Sequence, residues 1–293
     1  MTGIALTDRT GARQLTLPSV PLLLGAAAFA VLYWEPIATL LRDWWSDPEA
    51  GHGLLLGPLA LYLAWKSGIR KDAVGQPMLG LALLVGAVLL RYVSGLAAEL
   101  FTMRLSLMGA AGALIVFAYG FRQLTRWWLP ASLLLLSVPI PAVLLGSLAL
   151  PLQLKASAMG AWMLEARHVP VLLAGNVIHL PGQSLFVTEA CSGLRSITAL
   201  LALGVLIGGM WLKTPWSRIA ILALAIPVAM LLNGIRVFLT GFLVYYVDPS
   251  LGEGVMHFTE GWVLFVVAFA ILGGIAWVTN GVESAWLRRG AAA

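Results

Sequence analysis

The chain of 293 residues is 60% hydrophobic and only 11% charged, and its mean hydropathy is +0.92. Soluble globular proteins carry about 25% charged residues, so this composition excludes a water-soluble domain, a disordered chain, a collagen and a disulfide scaffold. The formal net charge of +5 indicates membrane orientation rather than nucleic-acid binding, because the basic residues cluster in alternate connections between apolar segments.

Eight apolar segments are candidates for transmembrane helices. A bilayer core about 30 Å thick requires about 20 mostly apolar residues per helix, with the backbone hydrogen-bonded to itself. The predicted spans are Thr16–Leu41, Gly53–Trp65, Pro77–Gly95, Met103–Gly120, Trp127–Leu148, Cys191–Trp211, Arg218–Val247 and Phe258–Val278. The second is short, so it either begins before Gly53 or lies in a protein-lined groove. We find no internal repeat and treat residues 1–293 as one polytopic membrane domain.

The distribution of basic residues predicts the orientation. One set of alternate connections holds 11 of the 18 lysines and arginines. The members of this set are Arg9, Arg13, Lys66, Arg70, Lys71, Arg122, Arg126, Lys213, Arg218, Arg288 and Arg289. Because basic residues stay in the cytoplasm, both termini, residues 1–15 and 279–293, are predicted to be cytoplasmic. The first helix is predicted to be a retained anchor, since its apolar stretch reaches spanning length.

Residues 149–190 are predicted to lie outside the cytoplasm. Pro139 and Pro141 should bend the chain, and Pro151–His168 mixes apolar and charged residues as an interfacial amphipathic helix does. Val169–Thr188 places β-branched residues around Pro181-Gly182, which predicts a small hairpin. The expected fold is therefore an all-α integral membrane protein with about eight transmembrane helices, an extracytoplasmic amphipathic helix and a hairpin before the sixth span.

Three polar residues from distant segments are predicted to meet at the outer face, where ionisable groups in an apolar chain usually serve function. Cys191, the single cysteine, opens the sixth span. Arg236 lies about 27 Å along the seventh span from Arg218, and His257 begins the eighth. This combination suits acyl transfer: the thiolate is the nucleophile, His257 transfers the proton, and Arg236 stabilises the thiolate or an oxyanion. Arg195 follows Cys191 on the same helical face.

Each of these residues also has a structural interpretation. In this alternative, Cys191 is a small packing residue and His257 is an ordinary loop histidine. Arg236 then extends its side chain to the membrane interface or pairs with Glu189 or Glu260.

The remaining histidines give weaker signals. His168 and His179 lack the spacing of metal ligands, so no metal and no cofactor are expected. Gly51-His52-Gly53 predicts a flexible turn in the first outer loop, and His52 is a candidate for lining the site.

At these residues the sequence resembles the exosortase/archaeosortase family of multi-spanning membrane cysteine transpeptidases. The densest similarity is Asn176–Ser196, around the core Glu189-Ala-Cys-Ser-Gly-Leu-Arg195. It continues in Asn233-Gly-Ile-Arg236, in Met256-His257-Phe258, and in the early segment WWSDPEAGHGLL, where Gly51 replaces a common serine.

The resemblance implies a nucleophile at Cys191, an essential arginine at Arg236 and a proton-transferring histidine at His257. Arg195, Glu189, Ser192, Asn233 and His52 are implied as supporting or substrate-binding residues. The implied partner is the C-terminal sorting signal of exported proteins: a short motif such as Pro-Glu-Pro, one membrane helix and a basic tail. The implied location is the bacterial inner membrane, with the site facing the periplasm, and the implied context is exopolysaccharide or biofilm export.

Two other classes of function are also compatible with the sequence. A secondary transporter also carries intramembrane charges, although it usually shows repeated halves with broken helices. A non-catalytic membrane component of a polysaccharide export system would use the same fold without chemistry.

Overall fold

The computed structural model describes residues 20–47, 50–187, 194–252 and 255–290. Over these ranges the chain forms ten α-helices and one small antiparallel sheet. The helices are α1 (Val20–Ser46), α2 (Gly53–Ser67), α3 (Pro77–Leu96), α4 (Leu100–Tyr119), α5 (Phe121–Arg126), α6 (Trp128–Leu136), α7 (Ala142–Glu165), α8 (Leu194–Trp211), α9 (Pro215–Tyr246) and α10 (Val255–Gly290). The strands are β1 (Leu172–Ala174), β2 (Val177–Leu180) and β3 (Gln183–Phe186).

The all-α membrane class is confirmed. Five helices of the described ranges are long and apolar enough to cross a membrane. They comprise Leu23–Ser46, Pro77–Leu96, Leu100–Tyr119, Pro215–Tyr246 and Val266–Arg289. The predicted total of about eight spans stays a prediction. α2 has 15 residues, which agrees with the short second segment.

The predicted fifth span is not one continuous helix, and this expectation was wrong. α6 ends at Leu136 and α7 begins at Ala142, because Pro139 and Pro141 cannot donate the backbone hydrogen bonds of a helix. The predicted amphipathic helix from Pro151 is the second part of α7, which passes through Pro151. The apolar residues from Ala142 therefore belong to this later helix.

α8 and α9 pack antiparallel in a regular register. The Cβ position of Gly208 is 3.6 Å from the Cα atom of Arg218, and that of Gly204 is 3.7 Å from the Cα atom of Leu222. Moving one turn back along α8 therefore corresponds to moving one turn forward along α9. By this register Leu194, where α8 begins, lies at about the height of Leu232.

Two hydrophobic cores occur along α9. The bundle core joins α8, α9 and α10; its members include Leu200, Leu203, Ile207, Ile221, Leu232 and Leu272. The hairpin core joins α7, the sheet and the last turns of α9; its members include Leu164, Val169, Ile178, Val187, Val237 and Val244. We call the end of the protein that carries the second core the hairpin end.

The predicted hairpin is confirmed, and a third strand extends it. β2 and β3 pair antiparallel, with Leu180 opposite Gln183 across the turn at Pro181-Gly182. Gly182 has φ of +84°, a left-handed conformation that suits glycine. β1 pairs with the other edge of β2.

Candidate functional site

Arg236 lies where the two cores meet. Its neighbour Val237 belongs to the hairpin core, and Leu232, one turn earlier, belongs to the bundle core. The side chain is half-buried, with its Nε atom fully covered, and its carbonyl oxygen accepts a hydrogen bond of 3.0 Å from the Thr240 hydroxyl. Asn233 lies three positions earlier on the same face and is 7% exposed. The Asn233-Gly-Ile-Arg236 motif therefore directs both polar side chains to one junction.

The beginning of α8 lies near the same height. Arg236 is one turn of α9 beyond Leu232, so it lies about 6 Å farther toward the hairpin end than Leu194. Arg195 is in the first turn of α8, although its side chain lies outside the described part of the protein. Cys191, Ser192 and Glu189 lie outside the described residues.

The beginning of α10 also lies at the hairpin end. At the opposite end, the Glu283 carboxylate accepts hydrogen bonds from the backbone N–H groups of Lys213, at 3.0 Å, and Thr214. From this shared height, Arg236 is roughly 33 Å along α9 and the backbone of His257 is roughly 39 Å along α10. The His257 side chain is not among the described ones. The helix positions of Arg236 and His257 thus differ in height by about one turn.

His52 has a structural contact of its own. Its ring Nε2 donates a hydrogen bond of 3.1 Å to the carbonyl oxygen of Leu136, in the last turn of α6. The carbonyl oxygen of the next residue, Ser137, accepts a hydrogen bond of 2.8 Å from the indole Nε1 of Trp44. These bonds satisfy carbonyl groups that the break in the helix leaves without backbone partners. His52 therefore ties α2 to α6, and its predicted role in lining the site stays a prediction.

Trp44 explains two glycines of α2, Gly53 and Gly57. A Cβ atom on Gly53 would lie 2.1 Å from the indole Nε1, and one on Gly57 would lie 2.7 Å from its Cη2. The indole ring therefore lies flat against the glycine face of α2 and is 8% exposed. The segment from Trp44 to Gly57 thus joins α1, α2 and α6.

The sequence model of the transmembrane exosortase family matches residues 44–274. The chain belongs to the transmembrane exosortase family. No curated protein and no solved structure matches it.

The match covers the exosortase from the Trp44 motif to the middle of α10, so it includes both cores and the hairpin. Family membership supports a membrane transpeptidase-type role in general terms. Among the residues that the structure describes, no group of three His, Cys, Asp or Glu side chains is placed to hold a metal ion.

Sequence reasoning missed a buried ion pair in this exosortase. The Arg104 guanidinium of α4 is 3% exposed and contacts the Asp43 carboxylate of α1 at 2.7 Å. The place of Arg104 in the second turn of an apolar helix is the signal that could have identified the pair, because a charge there needs a partner.

Reasoning from the sequence also missed three amides beside the hairpin. Asn176, Gln153 and Gln183 connect the sheet to α7 and α9 through side-chain hydrogen bonds. Amides are common in loops, so their types alone do not indicate a network.

Proposed function

We propose that this exosortase is a cysteine transpeptidase that cleaves the C-terminal sorting signal of exported proteins through a thioester. The observation that carries the proposal is the junction at Arg236. There the half-buried guanidinium, the beginning of α8 and the beginning of α10 lie at one end of the bundle, at the boundary of the two cores. Family membership supports the same class of chemistry.

Cys191 is the proposed nucleophile. It precedes Leu194, where α8 begins, by three residues, and the beginning of a helix carries a partial positive charge that favours a thiolate. Arg236 stabilises the thiolate and the oxyanion of the tetrahedral intermediate. His257 is the proton carrier. Arg195, Glu189, Ser192 and Asn233 support these groups.

The chemistry proceeds in two steps. The Cys191 thiolate attacks the scissile carbonyl carbon, the C–N bond breaks, and the departing amine takes a proton from His257, which leaves an acyl thioester. A second nucleophile gives its proton to His257 and displaces the thiolate from the acyl group. Arg236 faces negative charge on oxygen in both steps, which is where an electrostatic donor contributes most.

The proposed location is the bacterial inner membrane, with the hairpin end in the periplasm. Basic residues such as Arg126, Arg218 and Arg288 belong to the opposite end, and the positive-inside rule places such an end in the cytoplasm. The substrate then presents its short motif, of the Pro-Glu-Pro type, outside and its basic tail inside. A link to exopolysaccharide export is part of this proposal.

The experiment co-expresses the protein with a tagged substrate that ends in a motif, a helix and a basic tail. Processing is followed by gel mobility. We expect Cys191→Ala and Cys191→Ser to abolish processing. We expect Arg236→Lys to lower it by about 100-fold to 1,000-fold, because an ammonium cannot reproduce the planar guanidinium contacts.

Thr279→Ala is the matched control. Thr279 is in α10 near the opposite end, and its hydroxyl donates a hydrogen bond to the Ile275 carbonyl of the same helix, so processing should continue. Unchanged processing by Cys191→Ala would reject the proposed function. Solute flux in proteoliposomes that survives this substitution would favour a transporter, and an export defect without any cleavage would favour a non-catalytic component.

A further inference from the structure

The chain has a fixed anchor point just before the segment that contains Cys191. Val187 is 1% exposed in the hairpin core. Its backbone N–H donates a hydrogen bond of 2.9 Å to the carbonyl of Asn176, and its own carbonyl accepts one of 3.2 Å from the Asn176 side-chain Nδ2. One residue therefore holds Val187 through both polar groups of its backbone.

Gln153 of α7 completes this contact. Its Oε1 accepts a hydrogen bond of 3.3 Å from Asn176 Nδ2, and its side chain lies in the protein interior, with the residue 6% exposed. The carbonyl of Gln153 also accepts a bond of 2.8 Å from the fully buried Ser157 hydroxyl. Asn176 thus connects Val187 to a helix that packs against α9, the helix of Arg236.

A second contact holds the sheet at its far end. Gln183 Nε2 donates a hydrogen bond of 3.1 Å to the carbonyl of Val244 in α9. In the β2–β3 pair, Gln183 is beside the turn, whereas Asn176 and Val187 are at the open end. The sheet is therefore fastened to α7 at one end and to α9 at the other.

We propose that Asn176 is a positioning residue for Cys191: it fixes the backbone at Val187, four residues before the thiol, relative to α7 and hence to α9, the helix that carries Arg236. The inference rests on the proposed function. Four residues span at most about 14 Å, so the position of Val187 limits where the sulfur can lie. Leu194, where α8 begins, provides the anchor on the other side of the segment.

Precise placement has a large effect on catalysis, since a displacement of about 1 Å at a reacting group can lower a rate by about 100-fold. A partly buried donor shared between two carbonyl acceptors is well suited to this task. Truncation of Asn176 removes both bonds and leaves the Val187 carbonyl and the Gln153 amide without this donor inside the protein.

The test uses the full chain in proteoliposomes and compares Asn176→Ala with Gln183→Ala. Each substitution shortens an amide that fastens the sheet, but only Asn176 contacts Val187. Cys191 is the one cysteine in the sequence, so the pH profile of iodoacetamide labelling reports on that thiol alone. The readouts are this profile, kcat and KM for substrate processing, and the unfolding temperature.

For Asn176→Ala we expect kcat to fall by about tenfold to 100-fold, KM to change by less than about threefold, and the labelling profile to move to higher pH. Gln183→Ala should leave kcat and the profile as in the parent, although both variants lower the unfolding temperature. Gln153→Ala should also lower kcat, but by a smaller factor than Asn176→Ala. This variant also carries the test if Asn176→Ala does not fold.

Two results would overturn the inference. One is a folded Asn176→Ala protein with parental kcat and labelling profile. The other is an equal loss of kcat in Asn176→Ala and Gln183→Ala that follows the unfolding temperature, which would mean that the amides act only on stability. Failure of the proposed function is a separate outcome, because it appears as processing that persists in Cys191→Ala.

Discussion

The contact between Trp44 and Gly53 makes Gly53→Ala an informative test of how the first two helices are held to α6. The added methyl group would lie 2.1 Å from the indole Nε1 and 2.3 Å from Cδ1, so the ring must move. Such a movement removes the 2.8 Å bond from Trp44 to the Ser137 carbonyl, which is buried.

Two unfavourable effects add in this variant. Overpacking costs about 1–3 kcal/mol, and loss of a buried hydrogen bond costs about 1–3 kcal/mol. The gain in helix propensity from glycine to alanine offsets at most about 1 kcal/mol. We therefore expect Gly53→Ala to lower the free energy of unfolding by about 2–4 kcal/mol. This corresponds to an unfolding temperature lower by roughly 5 °C or more in a chain of this size.

The assay is thermal unfolding in detergent, followed by the intrinsic fluorescence of the 12 tryptophans of the chain. Gly86→Ala in α3 is the matched control, because among the described residues no atom beyond the neighbouring backbone of α3 lies within 4 Å of the added Cβ position. That variant should be as stable as the parent or slightly more so. A Gly53→Ala protein that unfolds at the parental temperature would refute the reasoning, since the indole could not then be packed against Gly53 as described.

Two further predictions concern charges near the hairpin end. Asp43→Ala should destabilise the protein more than Arg104→Met does, because the first leaves a buried guanidinium without its carboxylate, whereas the second leaves a carboxylate that is 31% exposed. Thermal unfolding of the two variants checks this order, and a larger loss in Arg104→Met would contradict it. Glu99 precedes α4 and accepts hydrogen bonds from the Thr102 hydroxyl and from backbone N–H groups, and these bonds lower its pKa from 4.5. Because the folded pKa is the lower one, the stabilisation is present above about pH 4.5 and is lost as the pH falls through the folded value. Unfolding scans should show a smaller acid-side loss of stability in Glu99→Gln than in the parent; some loss remains, since the pKa values of Asp72 and Asp248 are lowered as well.

The lengths of the apolar segments predicted most helices, because in lipid the backbone must form its hydrogen bonds within the chain. α2 begins at Gly53, α3 begins at Pro77 and α8 ends at Trp211, as the sequence indicated. The prediction of one continuous fifth span failed for a local reason, since the two prolines Pro139 and Pro141, with one residue between them, end a helix even when the flanking residues are apolar. Composition alone does not reveal whether an apolar run on each side of such a break is one span or two helices.

The candidate site was predicted less completely than the helices. Rare polar residues in an apolar chain indicated Arg236, and the structure places it at the boundary of two cores. The long-range contacts that hold the surrounding helices and the sheet together were not predicted, because their partners are distant in the chain. Asp43 and Arg104 are 61 positions apart, and so are Gln183 and Val244. Pairings of this kind depend on the three-dimensional packing of helices, which a single sequence does not specify locally.

The length of α9 gives a physical reason for the position of Arg236. The helix has 32 residues and is therefore about 48 Å long, whereas the hydrocarbon core of a bilayer is about 30 Å thick. The excess at the hairpin end is covered by α7 and the sheet, which form a core of their own. A guanidinium at the junction is thus supported by membrane-embedded helices on one side and by a packed protein layer on the other. The proposed cleavage of a sorting signal fits this arrangement, because the substrate helix stays in lipid while its scissile carbonyl reaches polar groups that water does not surround.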